Sequence, residues 1–267
     1  MKSTNKLFLI ILLALSTLST YSQVNLFKNK NRKNNSDTLK KELKELQITD
    51  KSKSSFSAGH LHQVEGTSIY AGKKTEVVNM ESLSANLSTN NSRQVFAKVT
   101  GINVVENDGA GLQLSIGGRG LNPNRVSNFN TRQNGYDISA DPLGYPESYY
   151  TPSLEAIERI EIVRGAASLQ YGTQFGGIIN FRFKKTPTNK PFELNLRQTA
   201  GSFGFINSFN SFGFNKNSWS GYGFVQHKQG DSWRPNSGFK MNSAYFSLSK
   251  SFGENFSITA EYTYLNY

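Results

Sequence analysis

Apolar and polar positions alternate most cleanly in the last third of the chain. Phe192, Leu194 and Leu196 are separated by Glu193 and Asn195, with Arg197 next. Phe256, Ile258, Ala260, Tyr262 and Tyr264 alternate with Ser257, Thr259, Glu261 and Thr263. Between them lie three β-like segments of less regular pattern, 203–214, 219–228 and 240–250. A period of two belongs to strands whose two faces meet different surroundings. About five strands are therefore predicted, after a linker over 184–190 with Pro187 and Pro191 nearby.

The preceding stretch, 156–183, is patterned differently. Ile160, Ile162 and Val163 stand among charges and read as a short strand ended by Gly165. Residues 168–171 form a compact turn closed by Gly172, Gly176-Gly177 is a hinge, and Ile178-Ile179-Asn180-Phe181 restarts a strand. Further upstream, 68–72 and 75–78 look like strands joined by a Gly-Lys-Lys turn. Residues 92–99 read as a helix capped by Ser92, with Val95, Phe96 and Val99 on one face and Gly101 beyond its end. Residues 102–105 read as a strand and 107–109 as a turn. Leu112, Leu114 and Ile116 alternate with polar residues before a Gly117-Gly118-Arg119-Gly120 run. The polar stretch from Leu121 to Tyr136 reads as loops, and 141–152 as a loop rich in Pro and Tyr. Thr151 is the expected cap of the next helix, with Pro152 in its first position.

The N-terminus has another character. Lys2 and Lys6 precede an apolar run over 7–18 that is too short to span a bilayer. Residues 1–22 thus read as a secretory signal cleaved before Gln23. Residues 23–58, rich in Asn, Lys and Ser, lack the apolar surface to fold alone and read as a flexible segment. Within it, Leu46 and Ile48 alternate with Glu45, Gln47 and Thr49. Such a short exposed segment is competent to add a strand to a partner's sheet edge; it also reads as plain linker, or as a helical turn using Leu43 and Leu46.

Composition narrows the chemistry. The 267 residues carry a net charge of +11, and a nucleic-acid partner is one reading of that excess. Much of it lies near the N-terminus, in the segment that reads as unfolded, which weakens that reading. Cysteine is absent, which excludes disulfides and thiolate metal sites. His60 and His62 have HxH spacing, but only Glu65 is near, and two solvated histidines is the simpler reading. The glycine run lacks both the P-loop ending and GxGxxG spacing. A GxSxG elbow, a metal cluster and a paired-carboxylate cleft in a supporting context are all missing, so an enzyme is disfavoured.

The stretch Arg159-Ile160-Glu161-Ile162-Val163-Arg164-Gly165, followed by Ser168, Tyr171-Gly172, Gly176-Gly177 and an apolar strand carrying Asn180, resembles the end of the plug domain of TonB-dependent outer-membrane receptors. That family usually has Pro after the Arg-Gly, where this chain has Ala166. Ile116-Gly117-Gly118-Arg119-Gly120 is similar to the family's Ile-Arg-Gly element with one extra Gly. The stretches at 119–125 and 145–152 look most like the ferric-citrate branch.

The resemblance implies an α+β plug domain, 59–186, followed by the start of a transmembrane antiparallel β-barrel, 187–267. Members close about 22 strands around the plug and the smallest membrane barrels need about eight, so the chain reads as the N-terminal part of a receptor. It implies import of a ferric chelate across the outer membrane of a Gram-negative bacterium, with ferric citrate or a siderophore as cargo. It implies no resident cofactor or metal; ferric iron enters only within the transported chelate. Glu42-Leu43-Lys44-Glu45-Leu46-Gln47-Ile48-Thr49 takes the place of the TonB box, which pairs with the energy-coupling protein TonB. Arg119, Glu161 and Arg164 take the place of the ion pairs that lock plug to barrel. The plug loops of the family face ligand, and Arg125, Arg132, Tyr136, Tyr145, Tyr149 and Tyr150 suit an anionic one, since Arg pairs with carboxylates and Tyr offers hydroxyls and flat faces. The alternatives are a stand-alone periplasmic or surface ligand-binding module, and a receptor for another nutrient such as an oligosaccharide.

Overall fold

The computed structural model describes residues 58–267 apart from 66–67, 98, 107, 119, 121, 124–128, 140–149, 166–170, 172–175, 188 and 233. The signal sequence, the 42–49 segment, Arg119, Arg125, Tyr145 and Tyr149 lie outside the described residues. Those described belong to one compact unit, Lys51–Tyr267.

The first half contains β1 (Ala58–Gly59), β2 (Val64–Glu65), β3 (Ser68–Ile69), β4 (Thr75–Asn79), α1 (Ser92–Phe96), β5 (Ile102–Glu106) and β6 (Leu114–Gly118). Then come β7 (Phe129–Gln133), β8 (Tyr136–Asp137), β9 (Ile157–Arg164) and β10 (Gly177–Phe183). Six of these strands form one sheet in the order β1-β4-β9-β10-β7-β8. All neighbours are antiparallel except β10 and β7, which run parallel. β2 pairs with β3, and β5 with β6, as separate two-stranded ribbons.

Sequence pattern explains β9 and β10 directly. Ile160, Ile162, Ile178, Ile179 and Phe181 are essentially inaccessible, as a strand covered on both faces requires. The exchange between the two strands starts where Gly177 pairs with Arg164. Gly177 has φ +133, and a Cβ there would sit 2.1 Å from the Val163 carbonyl oxygen. Only glycine lets the strand start this close to its neighbour.

Four expectations change. The stretch from Leu121 to Tyr136 is not all loop: β7 lies inside the sheet, and Asn134-Gly135 turns it into β8. β7 was hidden because Asn130, Thr131 and Gln133 are polar yet buried, so no alternation marks it. The Asn-Gly dipeptide was the available hairpin signal. Secondly, α1 is capped by Asn91, whose side chain accepts from the Gln94 amide, and not by Ser92. Thirdly, Thr151 donates to the Leu112 carbonyl and caps nothing; the turn that follows is a single 3-10 turn, Leu154–Ala156. Lastly, the two strands flanking the Gly-Lys-Lys turn do not pair with each other: β3 pairs with β2, and β4 sits between β1 and β9.

The second half is a five-stranded antiparallel meander: β11 (Phe192–Ala200), β12 (Ile206–Lys216), β13 (Trp219–Gly230), β14 (Phe239–Phe252) and β15 (Phe256–Asn266). The register places Asn207, Phe209, Phe224, Gln226, Lys228, Met241, Ser243 and Tyr245 on one face, and all are buried. That face packs on the six-stranded sheet: Phe209, Phe224 and Tyr245 share a core with Val95, Phe96, Leu154, Ile160 and Phe181. Phe183 meets Tyr245 edge-on at 4.3 Å between ring centroids. The opposite face exposes Leu194, Leu196, Val225, Phe246, Ile258 and Tyr262. Gly221 and Gly223 lie on that outer face under Phe214 and Phe212, where a Cβ would stand 2.5 and 2.9 Å from the rings.

Candidate functional site

Polar side chains between the two sheets converge on Glu155. It sits in the 3-10 turn just before β9 and is fully buried. Its carboxylate accepts from Arg197 Nη1 at 3.2 Å, Asn207 Nδ2 at 2.7 Å and Gln226 Nε2 at 3.4 Å. Those donors stand on β11, β12 and β13, so one carboxylate ties the turn to three successive strands. Gln226 also donates to Asn207 Oδ1 at 2.8 Å, and Ser243 on β14 donates to Gln226. Lys184 closes the arrangement from below, donating Nζ to the Glu155 carbonyl at 2.9 Å. Burial, with Arg197 nearby, lowers the Lys184 pKa. A charge buried this deeply persists only when its partners compensate the lost hydration.

Sequence reading missed Glu155, because an acid three residues after a Thr-Pro pair looks like an ordinary helix-start charge. The residues it selected instead, Glu161 and Arg164, are occupied within the first sheet. Glu161 is 1% exposed and accepts from Arg159 Nη2 at 2.7 Å, Asn180 Nδ2 at 2.7 Å and Arg182 Nε at 3.0 Å. Arg159 also reaches Glu65 at 3.1 Å; burial opposes its charge, but the Glu161 hydrogen bond together with the charges of Glu161, Glu65 and Glu158 outweighs burial and raises its pKa. Arg164 forks onto Glu76 at 2.8 and 3.1 Å and donates to the Thr100 carbonyl. Among the described contacts, both side chains brace strands of the first sheet to one another and neither reaches the five-stranded meander. The physical reason is reach: both lie on strands enclosed by sheet neighbours, whereas Glu155 precedes β9 and faces the meander.

The described members of the ligand-facing set also have internal partners. Arg132 lies on β7. It donates Nε to Asn130 at 2.7 Å, Nη1 to the Gly135 carbonyl at 2.8 Å and Nη2 to the Tyr171 carbonyl at 3.2 Å. Its guanidinium lies 4.8 Å over the Tyr171 ring, a cation–π contact. Arg132 is thus a brace between β7 and the turn before β10, with little left for a ligand. The Gln133 amide joins the two tyrosines: Nε2 donates to Tyr136 Oη, and Tyr150 Oη donates to Oε1 at 2.8 Å. Gln133 Nε2 also donates to Thr263 on β15 at 3.0 Å. Burial raises the pKa of both phenols, that of Tyr150 more. Asp137 is also buried in part, but hydrogen bonds from Ser139 and Asn130, with Arg132 beside it, bring its pKa below the ordinary value. Of Arg132, Tyr136 and Tyr150, only Tyr136 is exposed.

His60 is held by the Thr75 carbonyl at 2.6 Å, and His62 is exposed. No group of three potential metal ligands occurs among the described residues.

Residues 70–178 match the family model of the TonB-dependent receptor plug domain. Solved structures with the same arrangement include the unliganded ferric citrate transporter FecA, at 22% identity and a TM-score of 0.56, covering 72% of this chain and 31% of that one. The pyoverdine outer-membrane receptor FpvA from Pseudomonas aeruginosa PAO1 matches at 18% identity and a TM-score of 0.57, covering 72% of this chain and 27% of that one. The copper transporter OprC matches at 18% identity and a TM-score of 0.51, covering 66% and 28%. The chain spans about a third or less of the length of these structures. They are transporters and receptors, not enzymes. Residues 70–178 are thus similar to the plug domain of TonB-dependent receptors, and the chain has the fold of a plug domain followed by an antiparallel sheet, as in these transporters and receptors.

Proposed function

We propose that this chain is the N-terminal part of an outer-membrane receptor that imports a ferric chelate, with ferric citrate or a siderophore as cargo, in the domains 1–22, 23–58, 59–186 and 187–267. The observation that carries this is a plug domain seated on the mixed aromatic and polar inner face of a meander whose outer face is apolar. The outer face is banded along the register. One border is the aligned polar row Gln198, Ser208, His227 and Asn242. The other is Trp219, with Lys250 stacked on its ring at 4.9 Å. The borders are eight residues apart on β13, roughly 27 Å along a strand. Barrel tilt shortens that to about 20 Å, near the apolar band of about 25 Å that outer-membrane barrels present. Between them lie Leu194, Leu196, Phe212, Val225, Phe246 and Tyr262.

In this reading Glu155 joins the plug to the opening strands of the barrel, and Arg119, Glu161 and Arg164 serve plug–barrel locking. Arg125, Tyr145, Tyr149 and the exposed Tyr136 contact the anionic chelate, while Arg132 and Tyr150 shape the surface behind them. Residues 42–49 engage TonB in the periplasm. Cargo identity rests on the ferric-citrate-like stretches, because the fold alone spans iron chelates and copper. The test is uptake of radioactive iron by cells dependent on the receptor that carries this chain. Ferric citrate should be taken up in a TonB-dependent manner, with deletion of the gene abolishing it. Unchanged iron uptake alongside lost oligosaccharide uptake would replace the cargo with a sugar.

A further inference from the structure

The outer face of the meander ends differently at its two borders. At one end β12 and β13 join through Asn217-Ser218, and β14 and β15 through 253–255, both short turns. At the other end the connections, 201–205 and 231–238, are longer. Outer-membrane barrels keep short turns on the periplasmic side and longer loops outside. Beside the short turns, Lys216 pairs with Trp219 and Trp219 with Lys250. Directly paired residues share a face, and this row lies on the face of Phe212, Val225 and Phe246. The Asn215 amide donates to the Pro191 carbonyl at 3.0 Å, which carries the β11–β12 register past Phe192 and sets Lys190 opposite Lys216. Three lysines and a tryptophan thus form one row across four strands, about 4.8 Å apart from strand to strand.

Lys190, Lys216 and Trp219 are exposed, and Lys250 is half-buried over the indole. Among the described residues no carboxylate pairs with any of the three ammonium groups. Of the acids close in sequence, Glu193 takes the inward parity of β11 and accepts from Asn195, and Glu254 lies in the turn beyond Phe252. The next row inward is apolar, with Phe192, Phe214 and Leu248. The opposite border row, Gln198, Ser208, His227 and Asn242, carries no lysine, and one, Lys240, stands in the row beyond it.

We propose that the row Lys190, Lys216, Trp219 and Lys250 is a docking surface for anionic phospholipid headgroups of the periplasmic leaflet. The proposal rests on the outer-membrane reading of the meander. Lysine stems lie along apolar surface while their ammonium groups reach headgroup depth. Tryptophan settles at that depth too, its ring in apolar surroundings and its N–H in polar ones. A phosphate with no amine beside it is the anion that such a row complements, which favours phosphatidylglycerol over a zwitterionic lipid. Each lysine at an anionic membrane surface is worth about a fivefold preference.

The test folds the intact receptor that carries this chain into vesicles doped with headgroup-photoactivatable phosphatidylglycerol, phosphatidylcholine or lipopolysaccharide. Protease protection checks insertion, and crosslinks are then quantified on peptides covering 188–194, 214–221 and 246–252. Phosphatidylglycerol should label these peptides at least about tenfold more than phosphatidylcholine. The triple variant Lys190→Gln, Lys216→Gln, Lys250→Gln should lose that preference, the matching triple Lys→Arg variant should keep it, and Lys240→Gln should leave it unchanged. Equal labelling by the two phospholipids, or a preference that survives in the triple Gln variant, overturns the docking surface. Stronger labelling by lipopolysaccharide than by phosphatidylglycerol overturns its assignment to phospholipid. A receptor that never becomes protected overturns the membrane reading itself, whereas protection with equal labelling removes the docking surface alone.

Discussion

Glu155 shows how a single side chain can hold two sheets together. Its carboxylate faces three donors, two of them neutral amides that also bond to each other. Glu155→Gln keeps the shape but turns an NH2 group towards donors, and should cost roughly 2–4 kcal/mol, read as a lower denaturation midpoint in micelles. Arg197→Ala should cost under about 1 kcal/mol by the same measurement, because Arg197 is 55% exposed and its charge is already hydrated. Gly177→Ala meets a harder limit. The added methyl would press on the Val163 carbonyl at a φ of +133, so the first sheet should lose about 3 kcal/mol or more, or fail to form. Tyr150 predicts a pH response. Its pKa is raised by burial, so the folded state keeps the neutral phenol. The associated stability is present below the ordinary phenol value of about 10 and is lost as pH rises beyond it towards the folded-state pKa. Alkaline unfolding followed by phenolate absorbance should begin above about pH 10, and Tyr150→Phe should remove Tyr150's share.

Elements differ in how openly their surroundings show in their sequence. β11 and β15 alternate because one face meets apolar surroundings and the other does not, so their period is legible. β9 and β10 show apolar runs bounded by glycine, the mark of strands covered on both faces. β7 shows neither pattern. Its Asn130 is satisfied by Asp137 and Ser139, and its Gln133 by two tyrosines and Thr263, so polar residues serve as core there. β6 looked alternating yet is buried at every position, because β5 and the core enclose it. The outer band of the meander carries its own prediction. Val225→Arg, near the middle of the band, should cost about 2–4 kcal/mol in a bilayer, whereas Gln198→Arg on the exposed polar border should cost about 0–1 kcal/mol. Folding into liposomes, followed by protease protection, distinguishes the two.

At the scale of the whole molecule, plug and meander share one core, so the first strands of the barrel serve as the plug's seat. That arrangement separates holding from coupling. Removing residues 42–49 should leave the packed unit intact and cargo binding unchanged, yet abolish TonB-dependent uptake. Uptake that survives the deletion would move the coupling segment elsewhere in 23–58. The sequence by itself determined the plug assignment, the two glycine-bounded strands and the alternating meander, because each is written in local periodicity or in residues a few positions apart. Tertiary structure alone decided that β7 runs parallel to β10, that Arg164 serves Glu76, and that Glu155 joins the sheets. These partners are 88 and 42–71 residues apart, and a charge carries no local mark of the partner that will compensate its burial.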